Sequence, residues 1–421
     1  MKTALAFLYT KTTKNSINAL LGAMEKEKVA LPVYFLKEKE KVKERLKEIL
    51  KKGKYKKIIL ALSFCTPQVF EIKSLLLKLK EIKENLFILG GGPHPTGDPK
   101  GSLKLGFDVI FVGEGEKTFT QFLKNFKNGK DWKKIKGIAF FERGKYIFTG
   151  FQKPISLNDY PPFSLKLKKF GPIEIQRGCF FACRFCQASF LYHAPPRQRS
   201  IENILFWVEK LIENKKTDIR FISPNAFGFG SEDGKTLNLE KLEFLLKSIK
   251  KILKTKGRVF FGSFPSEVRP EHVTKETLSL IKKYASNDNI IIGAQSGSER
   301  ILEKCNRSHT INDVIKAVKL ARKFDFKINV DFIFGLPGEK KKDMEKSLKL
   351  AEKLISLGAK IHAHAFMPLA GTPFAKEKPS PIPEEISLKL QRLASKQKLY
   401  GKWQTQQKLA QKIWEMTKRK K

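Results

Sequence analysis

Three of the five cysteines in this 421-residue sequence stand close together. Cys179, Cys183 and Cys186 have the spacing C-x3-C-x2-C within the stretch RGCFFACRFCQ. Zinc ribbons and fingers supply two separated ligand pairs, and no second pair lies nearby in this sequence. Ferredoxin-type 4Fe-4S sites use four cysteines. Three thiolates on a four-iron cluster would leave one iron with a coordination position open to a substrate or cofactor.

The elements that must position these thiols follow a βα rhythm. Within residues 1–130, five β-rich runs separated by amphipathic helices predict a doubly wound, Rossmann-like parallel sheet. Ligands of such sheets bind at the carboxyl ends of the strands, here near SFCTPQ, GGGPHPTGDP and GEGE. Residues 131–170 predict a hairpin and a Pro-rich linker.

From residue 171 to 375 six further βα units predict a partial (β/α)6 TIM barrel. The fold class is therefore α/β throughout, and residues 376–421 form a basic C-terminal region with helical periodicity. The cysteine cluster follows the first barrel strand, at the end of the barrel where chemistry is expected.

Charge and hydropathy restrict the class of protein. The chain has 83 Lys+Arg against 42 Asp+Glu, a net charge of +41, which would attract RNA or another polyanion. The lysines are dispersed, so a Lys-rich proteome explains the charge equally well. No apolar run approaches the 18 to 20 or so residues of a transmembrane segment. With an odd cysteine count and an N-terminal apolar run too short for a signal peptide, we expect a cytoplasmic protein.

The stretch CFFACRFC, with Phe185 before its third cysteine, resembles the signature of radical S-adenosylmethionine (radical SAM) enzymes. The resemblance implies that S-adenosylmethionine chelates the open iron and is cleaved reductively to a 5′-deoxyadenosyl radical. Later strand ends resemble the same family in order: FISPNAFGFG, GSFPSEVRP, GAQSGSERILEKCNRSHT and DFIFGLPGE. The residues that it implies as cofactor contacts are Phe185, Ser223, Asn225, Ser263, Glu267, Arg269, Gln295, Ser296, Gly335 and Pro337. At Ser223 and Asn225 the sequence departs from the Gly-Gly-Glu turn frequent in the family.

The first domain resembles the cobalamin-binding domain that precedes many radical SAM enzymes, through LGGGPHPT and FDVIFVGEGEKTF. The resemblance implies contacts with cobalamin from Ser63, Thr66, Gly90, Gly91, Gly92, His94, Gly113 and Glu114. His94 lacks the aspartate of the D-x-H-x-x-G cobalt-ligand motif. We therefore interpret His94 as a structural or tail-contacting residue rather than a lower axial ligand.

Four more residues invite a chemical interpretation. Cys65 and Cys305 are lone cysteines, which are usually small buried hydrophobes. His362 and His364 alternate on the last predicted barrel strand and so point to the same side. If that side is the barrel interior, they can bind substrate or move a proton; otherwise they are packed polar residues.

Together these observations predict a cobalamin-dependent radical SAM enzyme with three cofactors: a 4Fe-4S cluster, S-adenosylmethionine and cobalamin. The expected reaction is methylation, or rearrangement, of an unactivated carbon on a small molecule or lipid precursor, with a ferredoxin or flavodoxin as electron donor. A radical SAM tRNA methylthiotransferase is an alternative, although residues 1–150 hold only Cys65 and not the three further cysteines of that family. A non-catalytic, basic Fe-S or cobalamin-binding module is another.

Overall fold

The computed structural model describes residues 3–53 and 55–418. Residues 1–2, at the start of the predicted first domain, and residues 419–421, at the end of the predicted helical region, lie outside the described part. The strands are β1 (Thr3–Leu8), β2 (Val33–Leu36), β3 (Lys57–Ser63), β4 (Leu86–Gly91), β5 (Val109–Phe111), β6 (Ile138–Glu142), β7 (Lys145–Phe148), β8 (Ile173–Glu174), β9 (Gln176–Arg177), β10 (Arg197–Gln198), β11 (Asp218–Ile222), β12 (Arg258–Phe260), β13 (Asn289–Gln295), β14 (Lys327–Phe334), β15 (Ala359–Ala365) and β16 (Leu399–Tyr400).

The helices are amphipathic, and their apolar residues recur at helical spacing. The helices are α1 (Lys14–Lys26), α2 (Val42–Gly53), α3 (Val69–Lys78), α4 (Pro93–Gly97), α5 (Pro99–Leu103), α6 (Gly115–Lys127), α7 (Ile201–Glu213), α8 (Leu239–Leu253), α9 (Lys275–Tyr284), α10 (Glu299–Lys304), α11 (Ile311–Lys323), α12 (Lys341–Ser356), α13 (Glu384–Ser395) and α14 (Trp403–Lys418). In α8, Leu242, Leu245, Leu246 and Ile249 are buried, which is the i, i+3, i+4, i+7 stripe of a helix with one apolar face.

The described chain forms two compact units. The first contains the residues up to Gly171 together with 191–194 and 369–371, and the second contains the rest. The strands of the two units belong to separate sheets.

The first unit is a seven-stranded sheet in the order β2-β1-β3-β4-β5-β6-β7. Strands β1 to β5 are parallel, and the β6–β7 hairpin continues the sheet in the antiparallel sense. The β6–β7 hairpin, which the sequence analysis assigns to the linker, belongs to this sheet. The hydrophobic core of the first unit includes Phe7 and Phe111 from one face of the sheet and Phe119 and Phe122 from α6.

The second unit contains the six barrel strands that the sequence predicts: β8, β11, β12, β13, β14 and β15. They form two parallel groups, β12-β11-β8 and β13-β14-β15. A parallel bridge between Val268 and Ile292 links segment 261–269 to β13. The C-terminal region is mostly helical, as predicted, and also supplies β16 beside β15. The predicted α/β fold class is confirmed.

None of the helices in the described ranges combines the length and the apolar character that a bilayer crossing requires.

Candidate cofactor sites

The three clustered cysteines lie in the loop between β9 and β10, in the second unit. All three are free thiols; Cys183 is buried, and Cys179 and Cys186 are partly accessible. Burial raises the pKa of Cys179, and it raises the pKa of Cys186 to about 12. A metal ion deprotonates the thiols that coordinate it. The loop therefore offers three free thiols in eight residues, and a bound cation would favour the ionised form of Cys179 and Cys186 against their burial.

A second segment, which follows α10, holds this loop in place. The backbone N–H of Arg184 donates to the carbonyl of Cys305 at 3.0 Å. The side-chain amide of Asn306 donates to the carbonyl oxygens of Phe181 and Ala182, at 3.0 and 3.2 Å. Because these bonds fix the backbone of the loop, the spacing of its thiols does not depend on a bound cofactor alone.

Two arginines bring positive charge to the central thiol. A guanidinium nitrogen of Arg307 lies 3.5 Å from Cys183 Sγ, and one of Arg269 lies 4.0 Å from it. The Arg269 guanidinium also stacks 3.4 Å above the ring centroid of Phe181 and pairs with Glu271. Cations at this distance stabilise thiolates. Arg307 was not among the predicted site residues, although it lies in the stretch CNRSHT, because nothing in the local sequence places it beside Cys183.

Phe185 anchors the loop in an apolar cluster of the barrel. It is partly buried and packs against Ile301, Cys305, Leu336, Phe366 and Phe374. Cys305 therefore belongs to the core, where burial raises its pKa to about 12. This environment agrees with the interpretation of Cys305 as a small hydrophobe.

Ser223 and Asn225, after β11, are buried in a hydrogen-bond network of protein groups. The Ser223 hydroxyl donates to Gln176 Oε1 at 3.1 Å. The Asn225 amide contacts Nδ1 of His272 at 2.8 Å, and its oxygen accepts from the backbone N–H of Arg269 at 3.2 Å. These bonds shape the turn in which the family often has Gly-Gly-Glu.

Ser263 and Glu267 follow β12 and remain available to a ligand. The Ser263 hydroxyl is buried and has no hydrogen-bond partner among the described residues. Glu267 is solvent-accessible, yet protein groups surround it closely. This partial desolvation and the charge of Asp331 raise its pKa to about 7, against the opposing charges of Arg307 and His362. Glu267 can therefore hold or release a proton near neutral pH.

The end of β13 is irregular at Gln295. Its pairing with β14 shifts register after Gly293, and Gln295 has φ of +70°. A positive φ in a residue other than glycine costs roughly 1–3 kcal/mol and is frequent at functional sites. Ser296 accepts a bond from the Ser298 backbone N–H at 3.2 Å and contacts the hydroxyl of Ser347 at 3.3 Å. Ser296 thus supports the turn that carries Gln295.

The turn after β14 contains Gly335, with φ of +78°, and Pro337. One carboxylate oxygen of Glu339 accepts from the backbone N–H groups of Gly335 and Leu336, at 2.6 and 3.0 Å. Burial raises the pKa of Glu339 to about 8. The role of Glu339 in fixing this turn was not predicted, although the residue stands in the quoted stretch DFIFGLPGE.

His362 and His364 lie on β15 and face Asp331 of the neighbouring strand β14. Asp331 was not among the predicted site residues. A polar residue inside the buried run NVDFIFG was the only local signal for it.

In the first unit, the predicted cobalamin contacts lie at the carboxyl ends of β3, β4 and β5. Gly92 has φ of +94°, and a Cβ there would lie 2.7 Å from Ser63 Oγ. A Cβ on Gly90 would lie 2.5 Å from Ile110 Cδ1, so packing within the protein explains that glycine. At Gly91, the last residue of β4, an added Cβ would lie 3.8 Å from Phe111 Cβ, which is an ordinary van der Waals contact.

Gly113 differs from these glycines, since a Cβ there would have no described atom within 4 Å. Its φ is +87°, and its N–H donates to the Thr96 hydroxyl at 3.1 Å. The neighbouring Glu114 accepts from the backbone N–H of Ile155 at 2.9 Å. The β5 end therefore combines an anchored backbone with open space above Gly113, which suits a bulky ligand.

His94 is buried, and its Nδ1 lies 3.1 Å from the hydroxyl of Thr66. Its ring lies 5.4 Å from that of Phe64. These contacts give His94 structural partners of its own. Cys65 precedes Thr66, and its pKa is raised by burial even though part of its surface is accessible.

The fold and these sites define a class of protein: a Rossmann-like α/β unit with a glycine-rich ligand edge, joined to a barrel that presents three thiols. Comparisons with known proteins agree. Residues 173–351 match the radical SAM superfamily, and residues 1–123 match the B12 binding domain.

Three individual proteins are similar to this chain over half of its length or more. An uncharacterised methyltransferase of Pyrococcus horikoshii is 28% identical over 312 residues, covering 70% of this chain and 64% of the relative. A tRNA-2-methylthio-N(6)-dimethylallyladenosine synthase of Wolbachia pipientis is 31% identical over 238 residues, covering 54% of this chain and 51% of the relative. The radical SAM methyltransferase TsrM of Kitasatospora setae, solved with cobalamin and a 4Fe-4S cluster, has a TM-score of 0.68 at 15% identity. That alignment covers 89% of this chain and 77% of TsrM.

This chain combines a B12 binding domain with a domain of the radical SAM superfamily. The predicted cofactors follow from the two domains: a 4Fe-4S cluster and S-adenosylmethionine in the second unit, and cobalamin in the first. The donor chemistry fits the cluster, because three free thiols stand beside two guanidinium groups. The open space at Gly113 fits a bulky ligand at the B12-binding edge.

Proposed function

We propose that this chain is a cobalamin-dependent radical SAM methyltransferase acting on an unactivated carbon of a small molecule or lipid precursor. The observation that carries the proposal is the presence in one chain of a three-thiol loop at a barrel strand end and a B12-binding domain. The name of the Pyrococcus relative supports methyl transfer. The TsrM structure with a tryptophan substrate supports a small-molecule substrate. The chain spans between half and two thirds of the length of these curated relatives.

When bound, the cluster and S-adenosylmethionine supply a carbon-centred radical, and cobalamin supplies a methyl group. The protein contributes an environment for these groups. Cys179, Cys183 and Cys186 hold iron as thiolates, and Arg307 and Arg269 offset the negative charge that accumulates there.

The polar groups at the strand ends would bind S-adenosylmethionine. The buried Ser263 hydroxyl has no described partner, and it suits a hydrogen bond to a polar group of this cofactor. Glu267 and the bulge residue Gln295 stand at neighbouring strand ends and provide a carboxylate and an amide. We assign the turn fixed by Glu339 to the adenine end of the cofactor.

A tRNA methylthiotransferase remains the second candidate, because the Wolbachia relative is 31% identical over 54% of this chain. The net charge of +41 would suit an RNA partner. Against it, residues 1–123 match a B12 binding domain and hold a single cysteine, Cys65. The two candidates differ in iron content and in cobalamin binding.

Isotope transfer tests the proposal. The anaerobically reconstituted chain, with reductant or a reduced flavodoxin, is incubated with extract metabolites and S-adenosylmethionine that carries a deuterated methyl group. We expect a small-molecule product with the label on carbon, formed together with 5′-deoxyadenosine. Cys183→Ala should abolish both products, whereas Cys305→Ala, a matched change in the apolar cluster, should keep them. Label found only in RNA with sulfur attached would establish the methylthiotransferase instead.

A further inference from the structure

A cluster of metal-binding side chains stands apart from the three thiols, on the barrel sheet. Asp331 of β14 and His362 of β15 are register partners, and His364 lies two residues further along β15 on the same face. One ligand atom from each residue lies within 4.8 Å of the other two. Two imidazoles and a carboxylate are a donor set that binds zinc and ferrous iron in proteins.

The hydrogen-bond geometry of this cluster is incomplete without a cation. Nδ1 of His362 lies 3.0 Å from Asp331 Oδ1 and 3.1 Å from His364 Nε2. If His362 Nδ1 carries a proton, its N–H donates to Asp331 Oδ1. Nε2 of His364 must then be unprotonated, so that its lone pair faces the same N–H. If Nδ1 is unprotonated, it accepts from His364, and its lone pair then faces the Asp331 carboxylate. A neutral imidazole nitrogen is either donor or acceptor, so each assignment leaves one short contact poorly compensated.

A divalent cation removes this conflict because all three atoms then act as lone-pair donors. With metal bonds of about 2.1 Å, ligand atoms stand about 3.0 Å apart at right angles and about 3.4 Å apart in a tetrahedron. The contacts of 3.0 and 3.1 Å agree with the first of these arrangements. We propose that Asp331, His362 and His364 bind one divalent transition-metal ion, Fe²⁺ or Zn²⁺, separately from the cysteine cluster.

The surroundings of the cluster support a metal site. The Tyr400 ring stacks on His362 at 4.4 Å with an interplanar angle of 7°, which fixes the orientation of that imidazole. The His362 side chain is 30% exposed, so an ion can reach it from solvent. With three protein ligands, the ion keeps a position for water or for an oxygen or nitrogen donor of a substrate.

Gln406 controls the proton on the far side of His364. Its Nε2 lies 3.4 Å from His364 Nδ1, at the limit of a hydrogen bond, and its Oε1 accepts from the backbone N–H of Ala365 at 2.9 Å. The amide N–H of Gln406 can donate only to an unprotonated Nδ1, whereas metal binding through Nε2 requires the proton on Nδ1. A carboxylate at position 406 would accept that proton and so favour the metal-binding tautomer. Gln406→Glu should therefore tighten metal binding, by about 10-fold.

Zinc titration of the full-length chain tests the site without relying on activity. Cys179, Cys183 and Cys186 are replaced by Ala so that the thiols cannot take up the ion, and Zn²⁺ is titrated against a chromophoric chelator. We expect about one tight zinc site per chain, weakened at least about 10-fold by Asp331→Asn or His364→Ala. Asp288→Asn and His193→Ala make the same chemical changes at exposed positions and should leave the affinity unchanged.

X-ray absorption at the zinc edge gives a second measurement, which we expect to show nitrogen and oxygen ligands with two imidazoles. Three results would overturn the proposal: no zinc site of one ion per chain, sulfur ligands in the absorption spectrum, or the same zinc affinity in the triad variants (Asp331→Asn and His364→Ala) as in the two controls. If a triad variant unfolds, Gln406→Glu decides the question, since it retains all three ligands. A failure to tighten binding in that variant would contradict the site. Zinc binding here is independent of S-adenosylmethionine cleavage, so the two proposals can fail separately.

Discussion

Gly113 and Gly106 form a matched pair that tests the cobalamin edge of the first unit. Both have positive φ, +87° and +116°, and at both a Cβ would have no described atom within 4 Å. Alanine at either position should therefore cost about the same stability, roughly 1–2 kcal/mol, from the left-handed backbone alone. Only Gly113 lies at the strand end where we expect cobalamin to bind.

The two variants should therefore differ in cofactor affinity and not in folding. A methyl group on residue 113 occupies space that the corrin or its tail would use. We expect Gly113→Ala to weaken cobalamin binding at least about 10-fold, or about 1.4 kcal/mol, and Gly106→Ala to leave it unchanged. The assay is titration of the full-length protein with hydroxocobalamin followed by its visible spectrum, with thermal unfolding measured in parallel. Equal affinities in two equally stable variants would refute this placement of the cofactor.

Three further predictions concern the second unit. Cys183→Ala should abolish iron binding yet leave cobalamin binding intact. Its control, Cys305→Ala, should retain iron while the free energy of unfolding falls by about 1–2 kcal/mol. Loss of both cofactors in Cys183→Ala would contradict two separate sites. Arg307→Ala should lower cluster retention, measured as iron per chain after gel filtration, more than Arg307→Lys does, and equal retention would exclude a role for its charge. Burial raises the pKa of Glu339 from 4.5 to about 8. Between these pH values the folded state keeps a proton that the unfolded state has released. The free energy of unfolding therefore falls as pH rises through this window, by up to about 1.4 kcal/mol per pH unit. Glu339→Gln should remove this slope in unfolding midpoints compared at about pH 6 and about pH 8.5, whereas parallel pH profiles would contradict the shift.

Much of the architecture could be predicted because its signals are local. The alternation of β-rich runs with amphipathic helices predicts both units and all six barrel strands. The spacing of Cys179, Cys183 and Cys186 needs no tertiary information. β16 could not be predicted in the same way, since two residues, Leu399–Tyr400, carry no periodicity.

Two of the residues that the sequence did not single out, Arg307 and Asp331, act across long separations. Arg307 lies 124 positions after Cys183, and only the folded barrel brings the two together. Asp331 and His362 meet because β14 and β15 pair in one register, which neither strand specifies alone. The glycines show the converse: the run GGG suggests close ligand approach, yet packing against Ile110 already requires Gly90.

The metal content of one sample tests the central claim most directly. The full-length chain is purified anaerobically, reconstituted with iron, sulfide and cobalamin, and analysed for iron and cobalt after gel filtration. A radical SAM enzyme with a B12-binding domain should contain about four irons and about one cobalt per chain, and should form 5′-deoxyadenosine from S-adenosylmethionine on reduction. About eight irons without cobalt, or S-adenosylmethionine that stays intact under strong reductant, would contradict it.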